Sequence, residues 1–202
     1  FRAVSLRGVD LYVYRIYANN VQQFLQRNQA QEDYSLQGSL KYVGRPVFRK
    51  TIRLDQNPSL DLSQWNTFSI DLSNLVNEDP HALYHVELRM RKSLASFVCD
   101  GSDLQAGAPI ILLPEEFSDD DLKGYNDNEY YYEDLYPENY SWRDRDDPCS
   151  ASYYVPDKFK YRNVLATNLG ILAKSGNQKD FTVVVTDLLT AEPVSNASVQ
   201  FY

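Results

Sequence analysis

The sequence VDLYVYRIY at Val9–Tyr17 decides the fold class. In an extended chain, successive side chains point to opposite faces, so this stretch can be divided into two sets. One face carries the aliphatic side chains of Val9, Leu11 and Val13. The other face is aromatic and aliphatic, with Tyr12, Tyr14 and Ile16. Because both faces are apolar, the pattern predicts a strand at the centre of a sheet.

Two more alternating segments, Pro46–Leu54 and Leu83–Arg91, predict further strands. In the second of them the apolar set is expected to face inward: Tyr84, Val86, Leu88 and Met90. The polar set is expected to face solvent: His85, Glu87, Arg89 and Arg91. His85, together with His81 in the turn before it, is therefore interpreted as an ordinary surface histidine.

Composition supports a β-rich fold and excludes several partners. The 202 residues are 43% hydrophobic and 13% aromatic, including sixteen tyrosines, which favours strands over helices. The net charge of −8 argues against nucleic acid and against anionic membrane surfaces. The longest apolar run, Ile110–Leu113, is far too short for a transmembrane segment. We therefore expect an all-β protein with no transmembrane segment and no nucleic-acid partner.

The chain changes character at residue 115. The segment from Glu115 to Asp147 contains thirteen acidic residues and only three basic ones, with six tyrosines among them. Its apolar residues follow neither the helix nor the strand period. A strand pattern returns with FTVVVTDL at Phe181–Leu188. This predicts a first β-domain at 1–114, an acidic tyrosine-rich loop at 115–160, and the beginning of a second β-domain at 161–202.

The two cysteines, Cys99 and Cys149, lack the spacing of a zinc site. A disulfide is the simplest use of both, and it indicates an oxidising compartment.

Catalytic and metal sites are weakly signalled. DDDLKGYNDNEY at Asp119–Tyr130 begins like a calcium loop but ends in Tyr130, where a bidentate glutamate is needed. The carboxylates that could serve glycoside hydrolysis, Glu115, Glu116, Asp134 and Glu138, lie on the predicted loop and not on a rigid scaffold. We therefore expect no enzyme activity, no metal and no cofactor.

Three aromatic residues of the acidic region are candidate interaction residues: Trp142, Tyr153 and Tyr154. They could stack on sugar rings, as in carbohydrate-binding modules. The alternative, which we favour, is that they pack the long loop onto the β-domain.

Several blocks of sequence, taken in order, resemble the bacterial branch of the α-macroglobulin family, which comprises large multi-domain peptidase inhibitors. The blocks are VDLYVYRIYANNVQQFLQ, VGRPVFRKTIRL, FSIDLSNLV, ALYHVELRMRKS, RDDPCSASYY, NVLATNLGILAKSG and VVVTDLLTAEPVSNASVQFY. They cover most of the chain, and RDDPCSASYY and ATNLGILAK are the more specific ones.

The resemblance implies a macroglobulin-like domain, an immunoglobulin-like antiparallel β-sandwich, followed by a truncated second one. It implies a scaffold for protease trapping, with neighbouring macroglobulin domains as partners and target proteases reached through the full-length protein. The compartment implied is periplasmic or outer-membrane-associated, in a Gram-negative bacterium. The family's reactive Cys-x-Glu-Gln motif is absent here. The alternative function is a free-standing β-sandwich module for carbohydrate binding or adhesion.

Overall fold

The fold is mostly sheet with a few short helices. The computed structural model describes residues 1–27, 37–74, 81–97, 99, 109–126, 136–176 and 180–199. The strands are β1 (Arg2–Ala3), β2 (Gly8–Ile16), β3 (Gly44–Arg53), β4 (Asn66–Thr67), β5 (Leu83–Arg89), β6 (Lys160–Leu165), β7 (Leu169–Ser175) and β8 (Phe181–Asp187). The α-helices are α1 (Val21–Arg27), α2 (Gln37–Val43) and α3 (Asp119–Asn126). All strand pairs in the described ranges are antiparallel, as predicted.

The largest sheet has four strands in the order β3-β2-β5-β6. Strand β2 lies between β3 and β5, so the prediction of a central strand at Val9–Tyr17 is confirmed. Strand β3 is an edge strand, and its register against β2 shifts between Val13 and Tyr14, opposite Pro46. Proline has no N–H to donate to the ladder, which explains why the irregularity falls at this point of an edge strand.

The two faces of this sheet are covered by different groups. One face is apolar and carries the buried side chains of Val9, Leu11 and Val13 from β2 and of Val86 from β5. Partly buried residues that follow β4, including Ile70 and Leu72, pack against this face. The aliphatic set identified from the alternation of β2 is therefore in the core.

The end of the sheet is closed by the short helices. Phe24 of α1 and Leu40 of α2 are fully buried against Tyr14 and Ile16 of β2. Gly44, at the junction of α2 and β3, lets the two backbones approach, because a Cβ there would lie 2.6 Å from the carbonyl oxygen of Arg15. The helix ends and the central strand thus form one packed cluster.

The predicted domain boundary at residue 161 falls within strand β6. Lys160–Leu165 pairs with β5 from Leu88 to Leu83, and it is therefore the last strand of the four-stranded sheet. The local sequence of β6 does not indicate which sheet the strand joins, because its partner β5 is more than 70 residues earlier in the chain. The chain leaves the four-stranded sheet only after Ala166, which is itself buried in the cluster on the apolar face of that sheet.

The strands β7 and β8 form a separate two-stranded antiparallel sheet. Leu169 pairs with Asp187 and Ser175 with Phe181, so the two strands are matched along their whole length. We refer to residues 168–176 and 180–188 as the hairpin. It contains the FTVVVTDL strand predicted from the sequence.

The acidic region contains more regular structure than its composition predicts. Asp119–Asn126 is a helix, with Asp119, Asp120 and Asp121 in its first turn, where carboxylates are favoured by the helix dipole. Three short 3-10 helices follow, at Trp142–Asp144, Ala151–Tyr153 and Pro156–Lys158. The region predicted as a loop is therefore partly helical.

Candidate functional site

The predicted disulfide is formed between Cys99 and Cys149, with the two Cα atoms 5.6 Å apart. Lys92, just after β5, donates a hydrogen bond from Nζ to the carbonyl oxygen of Cys149 at 2.5 Å. The backbone N–H of Cys149 donates to Oδ1 of Asp147 at 2.8 Å. The disulfide thus ties the far end of the acidic region to the segment that follows the central strand β5.

Trp142 lies at the surface with 65% of its area exposed. The guanidinium carbon of Arg145 is 4.1 Å from the ring centroid, and Arg145 also donates to the carbonyl oxygen of Trp142 at 2.8 Å. The indole ring is therefore oriented by a cation–π contact within its own turn.

Tyr153 and Tyr154 contact each other edge to face, with ring centroids 5.2 Å apart. The hydroxyl of Tyr154 donates to the carbonyl oxygen of Pro148 at 2.8 Å. Burial raises the pKa of Tyr154 to about 12, and the neighbouring Tyr153 and Asp147 act in the same direction. Lys158 lies 5.0 Å from the ring of Tyr153. The two tyrosines hold their own segment together, while Trp142 stacks on Arg145.

The face of β5 that was predicted to be outward is buried, and this prediction is wrong. His85 is fully buried and Glu87 is 1% exposed. The register places them beside Tyr14 and Tyr12 of β2, on the face opposite the apolar cluster. Alternation correctly identified which side chains of β5 share a face. The second face of the sheet is covered as well, so the polar character of its side chains did not indicate that they are exposed to solvent.

His85 joins β5 to β6. Its Nδ1 atom is 2.8 Å from Oδ1 of Asn163, which is the residue paired with it in the ladder. Its ring is 5.2 Å from the ring of Tyr161 and 6.3 Å from that of Phe24. The Nε2 atom lies 3.3 Å from Oε1 of Glu87, without the alignment of a good hydrogen bond. His85 is therefore an interior residue and not the surface histidine that was predicted.

Glu87 and Arg89 form an ion pair on the same face of β5 as His85. Arg89 donates to Oε2 of Glu87 from Nε at 2.9 Å and from Nη2 at 2.8 Å. Burial by itself would raise the pKa of Glu87, but the charge of Arg89 and the neighbouring His85 outweigh it and lower the pKa to about 2. The carboxylate is therefore ionised although it has almost no contact with water.

Arg89 also contacts three residues in two other parts of the chain. Its Nη2 donates to the hydroxyl of Tyr14 at 2.5 Å. Its guanidinium carbon lies 3.9 Å from the ring centroid of Tyr12 and 5.4 Å from that of Phe159, the residue before β6. One side chain thus connects β2, β5 and the start of β6. We call His85, Glu87, Arg89, Tyr14 and Asn163 the buried polar network.

A second group of charges holds residues 109–121 across the same face; we call these residues the strap. Arg91 pairs with the buried Asp10 and donates to the carbonyl oxygen of Ile111 at 2.7 Å. The hydroxyl of Thr51 donates to Asp10 at 2.6 Å and accepts from the N–H of Leu113 at 2.9 Å. The strap is therefore attached through side chains of the sheet and not as a further strand.

Arg49 of β3 anchors the end of the strap. It donates to both carboxylate oxygens of Asp121, at 3.1 and 2.9 Å, and to the carbonyl oxygen of Pro114 at 2.9 Å. Its guanidinium lies 4.6 Å from the ring centroid of Phe117. The hydrogen bonds from Arg49 and Ser118 lower the pKa of Asp121 to about 2. These contacts explain why part of the acidic region is ordered.

The described residues give little support to chemistry at these groups. A general acid or base must reach the proton that it transfers, and His85 and Glu87 are enclosed by protein. No group of three His, Cys, Asp or Glu side chains in the described ranges could hold a metal ion. Of the carboxylates considered for glycoside hydrolysis, Glu115 is paired with Lys50 at 2.7 Å, and Asp134 lies outside the described residues.

The hairpin is the most exposed apolar surface of the described chain. Of the eighteen large apolar and aromatic side chains that are exposed in the described chain, six lie in the hairpin and three more lie between residues 189 and 199. Ile171 is 68% exposed on one face of the hairpin, and Leu172 is 69% exposed on the other. Sequence alternation predicted β8 only; the structure adds β7 and shows that both faces of the hairpin carry exposed apolar side chains, although Val185 of β8 is buried.

No helix in the described ranges is long and apolar enough to span a bilayer. Comparison of the chain with protein-family models, with curated proteins and with solved structures gave no match.

Proposed function

We propose that this chain is a non-catalytic structural segment of a bacterial α-macroglobulin-like endopeptidase inhibitor. In this proposal its sheets belong to macroglobulin-like β-sandwich domains, and it serves as scaffold for protease trapping by the full-length protein. The observation that carries the proposal is the contrast between a sheet buried on both faces and a hairpin that keeps exposed apolar side chains on both faces. A segment of a multi-domain body needs both a rigid unit and a surface that its neighbours cover.

The exposed hairpin supports the presence of neighbours. Two strands alone cannot enclose a core, and an isolated hairpin is marginally stable in water. Phe181 is 60% exposed, in addition to Ile171 and Leu172. Each such side chain that a partner covers contributes roughly 1.5–3 kcal/mol. Neighbouring β-domains of the same polypeptide would supply that cover.

The first sheet supports a scaffold role. A buried ion pair, a side-chain-anchored strap and the Cys99–Cys149 disulfide brace the four strands from several directions. The disulfide also fits an oxidising compartment, so we place the protein in the periplasm or at the outer membrane of a Gram-negative bacterium. Stiff units of this kind can carry a change of shape from one domain to the next.

The test is an inhibition assay on the complete gene product. It is mixed with an endopeptidase, and hydrolysis of a large protein substrate and of a small chromogenic peptide is followed in parallel. Trapping excludes large substrates sterically, so the first activity falls several-fold while the second persists. Equal residual activity on both substrates, at every ratio of inhibitor to enzyme, would overturn the proposal.

The second candidate is a carbohydrate-binding or adhesion module, which the exposure of the Trp142 ring favours. Trp65 provides a matched control, because it is 62% exposed and also lies beside an arginine, Arg2, at 5.4 Å. In a glycan-binding assay, this candidate requires that Trp142→Ala abolish binding and Trp65→Ala leave it intact. Absence of glycan binding by the unsubstituted chain would remove it.

A further inference from the structure

The two edges of the hairpin are not equivalent, and the hydrogen bonds show which groups point outward. The N–H of Leu188 donates to the carbonyl of Asn168 at 2.6 Å, and that of Gly176 donates to the carbonyl of Asp180 at 2.8 Å. In an antiparallel ladder, alternate residues bond to the partner strand and the others face away from it. The even-numbered residues of β7 therefore bond to β8, and Ile171 and Ala173 direct their N–H and C=O groups to the outer edge.

The outer edge of β8 is occupied by the chain itself. Val194 donates to the carbonyl of Val185 at 2.9 Å, and Asp187 donates to the carbonyl of Glu192 at 2.9 Å. No such bond reaches Ile171 or Ala173 from the described residues. Both residues are also exposed. Of the two edges of the hairpin, the edge of β7 is therefore the one open to a further strand.

Except for Lys174 near its end, β7 lacks the features that usually prevent strand addition. Natural edges are protected by proline, by charges or by bulges, and Leu169–Ala173 contains none of them. The cross-strand residues Val183, Val184 and Val185 are also uncharged. A strand added here would place its side chains beside aliphatic groups. Because a charged side chain placed against these aliphatic groups would lose its hydration, the strand that fits Leu169–Ala173 is uncharged and apolar.

We propose that the outer edge of β7, at Ile171 and Ala173, pairs with one extended, uncharged strand of a neighbouring domain of the same polypeptide. The inference rests on the proposed function and specifies which edge makes the contact. Main-chain hydrogen bonds would supply affinity, and the exposed side chain of Ile171 would supply apolar contact. A second copy of the chain is a poorer occupant, because it would bring together two bodies that each carry a net charge of −8.

The test is residue-resolved amide hydrogen exchange on the complete gene product. The amides of Ile171 and Ala173 are expected to exchange at least about 100-fold more slowly than in an unstructured chain. Unprotected amides at both positions would overturn the proposal. Protection that rises with protein concentration would identify a second copy as the occupant, and would overturn it too.

A pair of substitutions locates the contact. Ala173→Pro removes an outward N–H and keeps every β7–β8 hydrogen bond, and it requires of Leu172 only the extended conformation that it already has. The control Ala173→Ser retains the N–H. We expect the proline variant alone to lose the protection of Ile171 by at least tenfold, with β5 amides unchanged to show that the fold is intact. Unchanged protection of Ile171 in a folded Ala173→Pro would count against the edge.

The two proposals can fail separately. Size-selective inhibition with an unprotected β7 edge would leave the inhibitor function standing and remove this inference. A protected β7 edge in a gene product that does not inhibit endopeptidases would leave the edge contact standing and remove the inhibitor.

Discussion

The four-stranded sheet and the hairpin are built from similar strand-forming sequences, yet they end in opposite environments. In the sheet even charged groups such as Glu87 are buried, whereas Ile171 and Leu172 of the hairpin are more than two-thirds exposed. The sheet has helices, the strap and the segment after β4 to cover it, and in the described residues the hairpin has its own return strand and the short segment that follows it. Strand formation and burial are thus separate properties, because the second depends on what the rest of the chain places over each face.

The largest effect is expected when the buried polar network is broken. Arg89→Met leaves the carboxylate of Glu87 buried without a partner, and should lower the free energy of unfolding by about 3–5 kcal/mol. Denaturant unfolding followed by circular dichroism measures it. The double variant Glu87→Gln/Arg89→Met should recover most of the loss, because it removes the unpaired charge. A loss below about 1 kcal/mol in the single variant would mean that this face is hydrated and not buried.

Removal of the disulfide should come next. The bond closes a loop across 50 positions of sequence, and Cys99→Ser/Cys149→Ser should cost about 4 kcal/mol through the entropy of the unfolded chain. The loss should appear in the sheet and the acidic region, which the bond joins. Hydrogen exchange at Val183 of the hairpin serves as the control and should not change. Equal acceleration in both regions would show that they unfold as one unit.

The same Leu→Ala substitution, made once in the sheet and once in the hairpin, compares the stability that burial contributes in the two regions. Leu11 is 2% exposed in the sheet, and Leu11→Ala should destabilise the fold by about 3 kcal/mol, from lost burial and the cavity left behind. Leu172→Ala in the hairpin makes the same chemical change at an exposed site, and should stay within about 0.5 kcal/mol. Thermal unfolding of the two variants under identical conditions gives the difference. Similar losses in both would contradict the exposure of the hairpin.

A smaller and more gradual effect is expected in acid. The folded pKa of Glu87 is about 2, below its ordinary value of 4.5, so the carboxylate stabilises the fold above pH 4.5. That stabilisation is lost as the pH falls from 4.5 toward 2. The free energy of unfolding measured across this range should therefore decrease, and Asp121→Asn should keep part of the decrease because Glu87 remains. A flat curve in the Asp121→Asn variant would assign the acid sensitivity to the strap alone.

Much of the fold can be predicted from the sequence, since local alternation is a property of the residues themselves. The strands at Val9–Tyr17, Pro46–Leu54 and Leu83–Arg91 are found, each within a few residues of its observed ends. The Cys99–Cys149 bond follows from there being two cysteines and no other use for them. The disulfide of the candidate site could therefore be predicted from the sequence.

The rest could not be predicted because it depends on distant parts of the chain. His85 and Glu87 look like surface residues until β6 and the segment before it are placed beside β5. The role of Arg49 is hidden for the same reason, because its partner Asp121 is 72 residues away. A signal was present in the closely spaced His85, Glu87 and Arg89, which can pair with one another along a single strand face. That spacing is equally common on solvated strands.

The sequence by itself determined that the chain forms strands, joins its cysteines and carries its acidic excess in one region. These properties follow from side-chain alternation, cysteine number and local composition. The tertiary structure decided which strand faces are buried, that β6 belongs to the first sheet, and that the edge of β7 is open. The physical reason is that burial and edge pairing are set by contacts between residues far apart in sequence, which no local pattern encodes.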